Sequence, residues 1–513
     1  MLAHHFLEHA ADRSPDKTAL VCGSRRLTYA EIDDMANRLA RGLMTLGLAR
    51  GDRVVVHLDN SVEAVVSIFA AMKAGCVCVP LSARTKPLRL AYVLNNCQAA
   101  ALITSVRTDV APLWAGTPSL RVTVVAGSER PSNEHAPSPA LTFDAIQNSY
   151  GAERVPERSI ALDLACLIYT SGSTGQPKGV MCDHGNVTFV AHSIMRYLRS
   201  ASSDVVIGVL PVSFDYGLYQ VFMTFGCGGT LVLEQSFAYP AEVLMHIEQE
   251  RVTGLPGVPS FFAMLLAMDL SPYDLASLRY ITNTAASLPA SHILALRKRF
   301  PNAELFSMYG LTETKRTLYL PPDQLDRRPD SVGIAIPGTE VWVEDTDGKR
   351  LGPGEVGELV VRGPHVMRGY WRAPQDTAQR FRPGPLPGER VCHTGDLFKM
   401  DDEGYMYFVG RTDDIFKSRG HKVAPKEIEQ VLYDIPGVIE AGVVPVADAV
   451  LGHAIKAFVA VDGRPLTQAQ VLAHCRAHLE DYLVPKYVEF RVQLPKTATG
   501  KIDRRHLALG GNG

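Results

Sequence analysis

Tyr169-Thr-Ser-Gly-Ser-Thr-Gly-Gln-Pro-Lys178-Gly-Val180 follows directly on the apolar run Ala165 to Ile168. Four Ser or Thr hydroxyls, three glycines and one lysine stand within these twelve residues. Glycine permits the close backbone approach that a phosphate needs, while exposed N–H groups and hydroxyls supply donors. Lys178 adds positive charge. The stretch is not a Walker loop, in which Gly-Lys precedes Ser or Thr, because Lys178 is followed by Gly179. A flexible surface loop accounts for the glycines, but not for the strand-like run in front or the lysine behind Pro177.

Outward from this segment, strand-like runs alternate with helical patterns through most of the first 400 residues. Val54 to His57, Val77 to Val79, Ala101 to Thr104 and Val122 to Val125 read as short buried strands. Helical stretches such as Ser61 to Lys73 and Pro87 to Cys97 separate them. Thr28-Tyr-Ala-Glu31 has the form of a capping box, opening a helix through Arg41. This rhythm predicts an α/β body with a mixed, largely parallel sheet. Segment 127–141 is expected to be a surface connection, and the Gly- and Pro-rich segment 382–388 an exposed loop. Val341 to Glu344 and Gly357 to Val361 predict a β-rich subdomain. Past Arg411 the texture changes: a helix over Lys426 to Tyr433, strands over Ala441 to Val444 and Lys456 to Val461, and a helix over Leu466 to Leu479. Residues 1–412 and 413–513 are therefore expected to form a large body and a small α+β domain.

The chain has 513 residues, more than one hydrophobic core usually serves. A formal charge of -2 offers no global attraction to nucleic acid or an anionic membrane. Clusters such as Arg297-Lys298-Arg299 and Arg504-Arg505 read as solvated helix faces. The most hydrophobic region, Val54 to Pro80, is broken by Asp59, Glu63 and Lys73, so a bilayer would reject it. The N-terminus lacks the apolar core of a signal peptide. None of the nine cysteines forms a ligand-like cluster, and Cys76 and Cys78 read as core. A reduced, cytoplasmic compartment is expected.

Five segments recur in an order that resembles the AMP-forming adenylating enzymes: acyl-CoA synthetases, luciferases and peptide-synthetase adenylation domains. They are Tyr169 to Val180; Tyr309-Gly-Leu-Thr-Glu313; Gly357-Glu358 to Tyr370; His393-Thr-Gly-Asp396 with Gly410-Arg411-Thr-Asp413-Asp414; and Pro495-Lys-Thr-Ala-Thr-Gly500-Lys501. The resemblance spans nearly the whole chain, and standalone acyl-CoA ligases of bacterial biosynthetic clusters look most alike. It implies a two-step reaction, in which a carboxylate attacks the α-phosphate of ATP and a thiol then displaces AMP. It also implies the roles. Thr170, Ser171, Ser173, Thr174 and Lys178 would follow the β- and γ-phosphates, Thr312 the α-phosphate, and Glu313 would hold Mg²⁺. Tyr309 would offer a face to adenine, Asp396 would accept from the ribose hydroxyls, and Arg411 would touch ribose or phosphate. Lys501 matches the adenylation lysine and Asp413 the hinge. Lys417, Gly420, His421 and Lys422 would belong to the face presented for thioester formation, with Lys422 a contact for the nucleotide or thiol donor.

Substrate choice stays open at this level. Phe214 and Asp215 stand where amino-acid adenylation domains bind a substrate ammonium, and a carboxylate in an apolar pocket needs a cation. Asp215 as a cap of the following helix is the plainer alternative. Standalone acyl-CoA ligases are similar around Phe214 to Gln220 and Lys315-Arg316, so a non-amino acid competes. Thr284 and Ala285 replace glycines of the family pattern and should narrow the space beside adenine and the acyl group. The resemblance counts them, with Gly310, Phe214 and Asp215, among the substrate-binding residues. Lys315 and Arg316 would pair with Asp215, pair with an acidic substrate group, or be exposed. The acceptor is CoA or the phosphopantetheine of a discrete carrier protein. A homodimer is an expectation from the resemblance only.

Overall fold

The computed structural model describes residues 1–109, 111–127, 140–170, 177–284, 288–412, 414, 416–418, 421–448, 452–497 and 501–509. Its first large sheet has seven strands among the described residues, in the order Ala140–Thr142, Val122–Ala126, Ala99–Ser105, Arg53–His57, Val77–Leu81, Leu164–Thr170 and Lys178–Asp183. All neighbours are parallel except the last pair, a hairpin in which Tyr169 opposes Gly179. The second sheet has nine strands among the described residues, with a parallel centre that includes Val205–Gly208, Gly254–Gly257, Tyr280–Asn283 and Glu304–Tyr309. Leu318–Leu320 adds to it antiparallel. Thr18–Cys22 also joins it, Leu20 opposite Leu231, so the N-terminal segment completes a sheet built mainly from mid-chain strands.

Parallel neighbours demand crossovers, and helices supply them. Every residue of Val62–Lys73 except Glu63 is buried. A helix apolar on all sides belongs in an interior layer, and here Phe69 packs on Phe225 of the helix Asp215–Cys227 at 5.3 Å between centroids. The hydrophobic stretch that a membrane would reject is thus a central layer of the core. Lys73 is accommodated there by pairing with Asp33 at 2.9 Å and with Glu8. Among the described residues no helix is long and apolar enough to cross a membrane. The Thr28 capping box forms as expected, with Glu31 N–H to Thr28 Oγ1 at 3.2 Å and Thr28 N–H to Glu31 Oε2 at 2.7 Å. Its helix runs on to Thr45.

A third, antiparallel sheet contains Glu340–Glu344, Val356–Arg362, Phe381–Pro383, Arg390–Met400 and Met406–Arg411. The segment expected as an exposed loop starts instead as an edge strand, Phe381–Pro383, where a proline without an N–H is tolerated. The C-terminal unit pairs Val438–Asp448, Gly452–Val461 and Tyr487–Phe490, covered by the helices Pro425–Tyr433 and Gln468–His478. Ile428, Leu432, Val443, Val459 and Cys475 give it a core of its own. It rests on the body through the Tyr433 ring, 5.9 Å from His292. Arg504, expected on a solvated face, instead binds Glu429 at 2.7 Å and Asp414 at 2.8 Å, because both carboxylates converge on it.

Candidate active site

The sheet hairpin presents Thr170 and Lys178 directly opposite each other in register. Ser171, Ser173 and Thr174 lie outside the described residues, as do Ala285, Asp413 and Gly420; Lys417, His421 and Lys422 are described in backbone only, on the paired strands Phe416–Ser418 and His421–Val423. Lys178 Nζ pairs with Asp376 Oδ1 at 2.5 Å and lies 5.6 Å from the centre of the Tyr370 ring. Lys178, at the start of its strand, is therefore held at a defined place by a helix nearly two hundred residues away.

Residues Tyr309 to Thr317 form a tight turn between two antiparallel strands, closed by Thr317 N–H to Tyr309 O at 2.9 Å. A Cβ on Gly310 would come within 2.0 Å of the Lys315 carbonyl oxygen, so the turn needs glycine there. Lys315 itself has φ of 59°, a left-handed conformation that costs a non-glycine residue about 1–2 kcal/mol. From this turn Glu313 reaches Tyr370, whereas Lys315 reaches toward Asp215 and Arg316 reaches Thr284. Glu313 Oε1 accepts from the Tyr370 hydroxyl, and Arg380 Nε stands 4.0 Å away. Oε2 has no hydrogen-bond partner among the described residues, leaving a carboxylate oxygen suited to a hard cation.

Asp396 is 5% exposed. Its Oδ2 accepts from the Tyr309 hydroxyl at 2.5 Å, and Arg411 lies 3.1 Å from Oδ1 without an aligned hydrogen bond to that oxygen. Burial raises the Asp396 pKa above the ordinary carboxylate value, against Arg411 and Tyr309. The Tyr309 ring meets Phe398 edge to face at 4.9 Å.

Lys501 comes from the small unit, on a turn fixed by Thr497 N–H to Lys501 O at 2.8 Å and Lys501 N–H to Thr497 Oγ1 at 3.2 Å. It keeps contact with solvent, yet crowding by protein lowers its pKa below the ordinary lysine value. Asp215, Asp396 and Glu313 oppose that shift and Arg411 adds to it. Groups from opposite ends of the chain thus share one field.

Asp215 does not cap its helix. Phe214 holds the capping position and Asp215 is the first helical residue, where a carboxylate suits the helix dipole. Lys315 Nζ lies 4.0 Å from Asp215 Oδ2. Burial works against the Lys315 charge, but Cys182, Asp215, Cys166 and Glu313 outweigh it and raise its pKa. Neither Lys315 nor Arg316 is exposed. Arg316 donates to Thr284 Oγ1 at 3.1 Å and stacks on the Tyr216 ring at 4.8 Å.

Sequence reasoning missed Asp376, Arg380 and Tyr219. Tyr370 closed one of the quoted segments without a role. No local pattern marks these residues, since each reaches the site through tertiary packing.

A family model described as AMP-binding enzyme matches residues 7–371, and one described as AMP-binding enzyme C-terminal domain matches 427–501. A feruloyl-CoA synthase from an Amycolatopsis species is 36% identical over 499 residues, covering 96% of this chain and 95% of that protein. ATP-bound MatB from Rhodopseudomonas palustris is 30% identical, with a TM-score of 0.88 and 99% of each chain covered. The anthranilate CoA ligase AuaEII, in complex with anthranoyl-AMP, is 28% identical, with a TM-score of 0.90, covering 99% of this chain and 97% of that one.

Proposed function

This chain belongs to the AMP-binding enzyme family, and from that premise we propose how its own residues divide the work of an acid–thiol ligase. The enzyme activates a carboxylic acid with ATP as an acyl-adenylate, releases pyrophosphate, and forms the thioester of CoA. Attack of one anion on another needs positive charge at the transition state. Lys501 supplies it to the carboxylate oxygen and the α-phosphate, and Lys178, with Thr170 and the loop hydroxyls, supplies it to the departing pyrophosphate. Thr312 holds the α-phosphate. Asp396 accepts from ribose through the oxygen that lacks an aligned partner, with Arg411 beside it and Tyr309 as the wall for adenine. Mg²⁺ held by Glu313 would neutralise phosphate charge.

The observation that carries this reading is the convergence of Lys501 with Asp396 and Glu313 across two separately cored units. It also sets a geometric demand. Lys501 has to withdraw before a thiol arm enters, so residues 413–513 swing about Asp413 relative to 1–412 and bring the Lys422 face to the second step.

The acid carries no amino group, in this reading, because Lys315 already stands beside Asp215, where a substrate ammonium would sit. Acid-dependent pyrophosphate release followed by CoA-dependent AMP release is the test, run over amino acids and non-amino acids. Activation of a non-amino acid, and transfer to CoA, is expected. Selective activation of an amino acid that Asp215→Ala abolishes would instead establish the ammonium site, and transfer only to a carrier protein would replace CoA as acceptor.

A further inference from the structure

Beside Asp215, the structure holds two buried cations and, among the described residues, one carboxylate within 4.0 Å of them. Lys315 and Arg316 are 4% and 5% exposed. Among the described residues, Asp215 is the one carboxylate within 4.0 Å of Lys315, and none lies that close to Arg316. The adjoining residues 285–287 are Ala, Ala and Ser, so no carboxylate comes from there. A buried charge without a counter-ion is among the costliest arrangements in a protein.

Hydrogen bonding points the same way. Lys315 Nζ, Arg316 Nε and the Tyr219 hydroxyl are all buried, and none makes an aligned hydrogen bond among the described residues, the Cys182 thiol being the nearby group that helps hold the Lys315 charge. Native interiors leave few polar atoms unpaired. Here three gather where one helix, Asp215–Cys227, meets the turn after Glu313, and all three donate. Tyr219 stands in the field of both Asp215 and Arg316. Water would satisfy the donors but not the charge.

We propose that the acid is a dicarboxylic acid, whose reacting carboxylate meets Lys501 and whose second carboxylate is seated by Arg316, Lys315 and Tyr219. This rests on the acid-ligase reading above. Thr284 and the Tyr216 face hold the guanidinium in place, so the seat exists before the acid arrives.

The test uses the full chain and pyrophosphate release, comparing aliphatic and aromatic dicarboxylic acids with their monoamides. The best dicarboxylic acid is expected to exceed its monoamide in kcat/KM by roughly 100-fold, as expected when one partner of a buried charge pair is removed. Arg316→Met should erase that preference while the melting shift on adding ATP alone stays as in the wild type, and Arg316→Lys should restore part of it. If Arg316→Met loses the ATP-induced shift through misfolding, Tyr219→Phe replaces it, with a loss of roughly tenfold expected for the dicarboxylic acid alone. A monoacid or amino acid that matches every dicarboxylic acid, or variants that lower diacid and monoamide equally, would overturn the proposal and leave the ligase reading intact. Failure of every acid to release pyrophosphate would sink both.

Discussion

The proposed nucleotide end and the proposed acyl end of this site are built on opposite electrostatic terms. At the nucleotide end each charged group has a protein partner in place: Asp396 with Tyr309 and Arg411, Lys178 with Asp376, Glu313 with Tyr370 and Arg380. At the acyl end, Lys315 and Arg316 face one carboxylate between them, and three buried donors lack aligned hydrogen bonds among the described residues. Both ends hang on the same turn, Tyr309 to Thr317. The difference teaches where each kind of information resides. Paired groups hold a fixed shape for a cofactor that is always the same, whereas an unbalanced pocket selects whichever ligand supplies the missing charge.

Lys501 belongs to neither end but bridges them, so its loss should break the comparison most severely. Lys501→Ala is expected to lower adenylation by roughly 10²- to 10³-fold, the scale for removing one transition-state charge partner. Thioester formation from a supplied acyl-adenylate should be little changed. Comparable losses in both half-reactions would remove the distinction between the two steps. Its lowered pKa adds a pH signature: kcat/KM for ATP should fall as pH rises through a value below that of ordinary lysine, as the ammonium loses its proton. Lys501→Arg should flatten that fall.

Next in size is Asp396→Asn at the paired end. A weakened ribose acceptor should raise KM for ATP roughly tenfold or more. Stability should move the other way. The native carboxyl binds its proton more tightly than the unfolded one, so wild-type stability falls as pH rises from the unfolded pKa through the raised folded pKa. Asparagine removes that penalty, and thermal melts at neutral pH check it. Equal stability of the two proteins at neutral pH would mean that Arg411 and Tyr309 fully offset burial.

The smallest effect sharpens the contrast at the acyl end. Asp215→Asn strands Lys315, and Lys315→Met strands only a partly exposed carboxylate, so the first should destabilise more. The double variant should recover part of the loss, with a coupling of about 0.5–3 kcal/mol by denaturant unfolding. Strict additivity would show that the 4.0 Å pair does no work.

The stability of each end was legible in the sequence to different degrees. Tyr309, Glu313, Asp396 and Lys501 lie in compact motifs whose order resembles a known family, and that resemblance exposed them. Asp376 and Arg380 sit on a short helix with no such pattern, and Tyr219 looks like any core aromatic on a buried helix. The plain alternatives for Asp215 also differed only in three dimensions, because a helix cap and an ion pair demand the same residue type.

By itself, the sequence determined the α/β rhythm and the separate C-terminal unit, because hydrophobic period and turn residues act over a few neighbours at a time, while the AMP-forming chemistry came from the resemblance of its five ordered segments to a known family. Only the tertiary structure decided which cation meets which carboxylate. The fully buried Val62–Lys73 layer, the Lys178–Asp376 clasp and the unbalanced pair Lys315 and Arg316 all join residues that the chain keeps apart, and charge balance in a low-dielectric interior is a property of the assembled site.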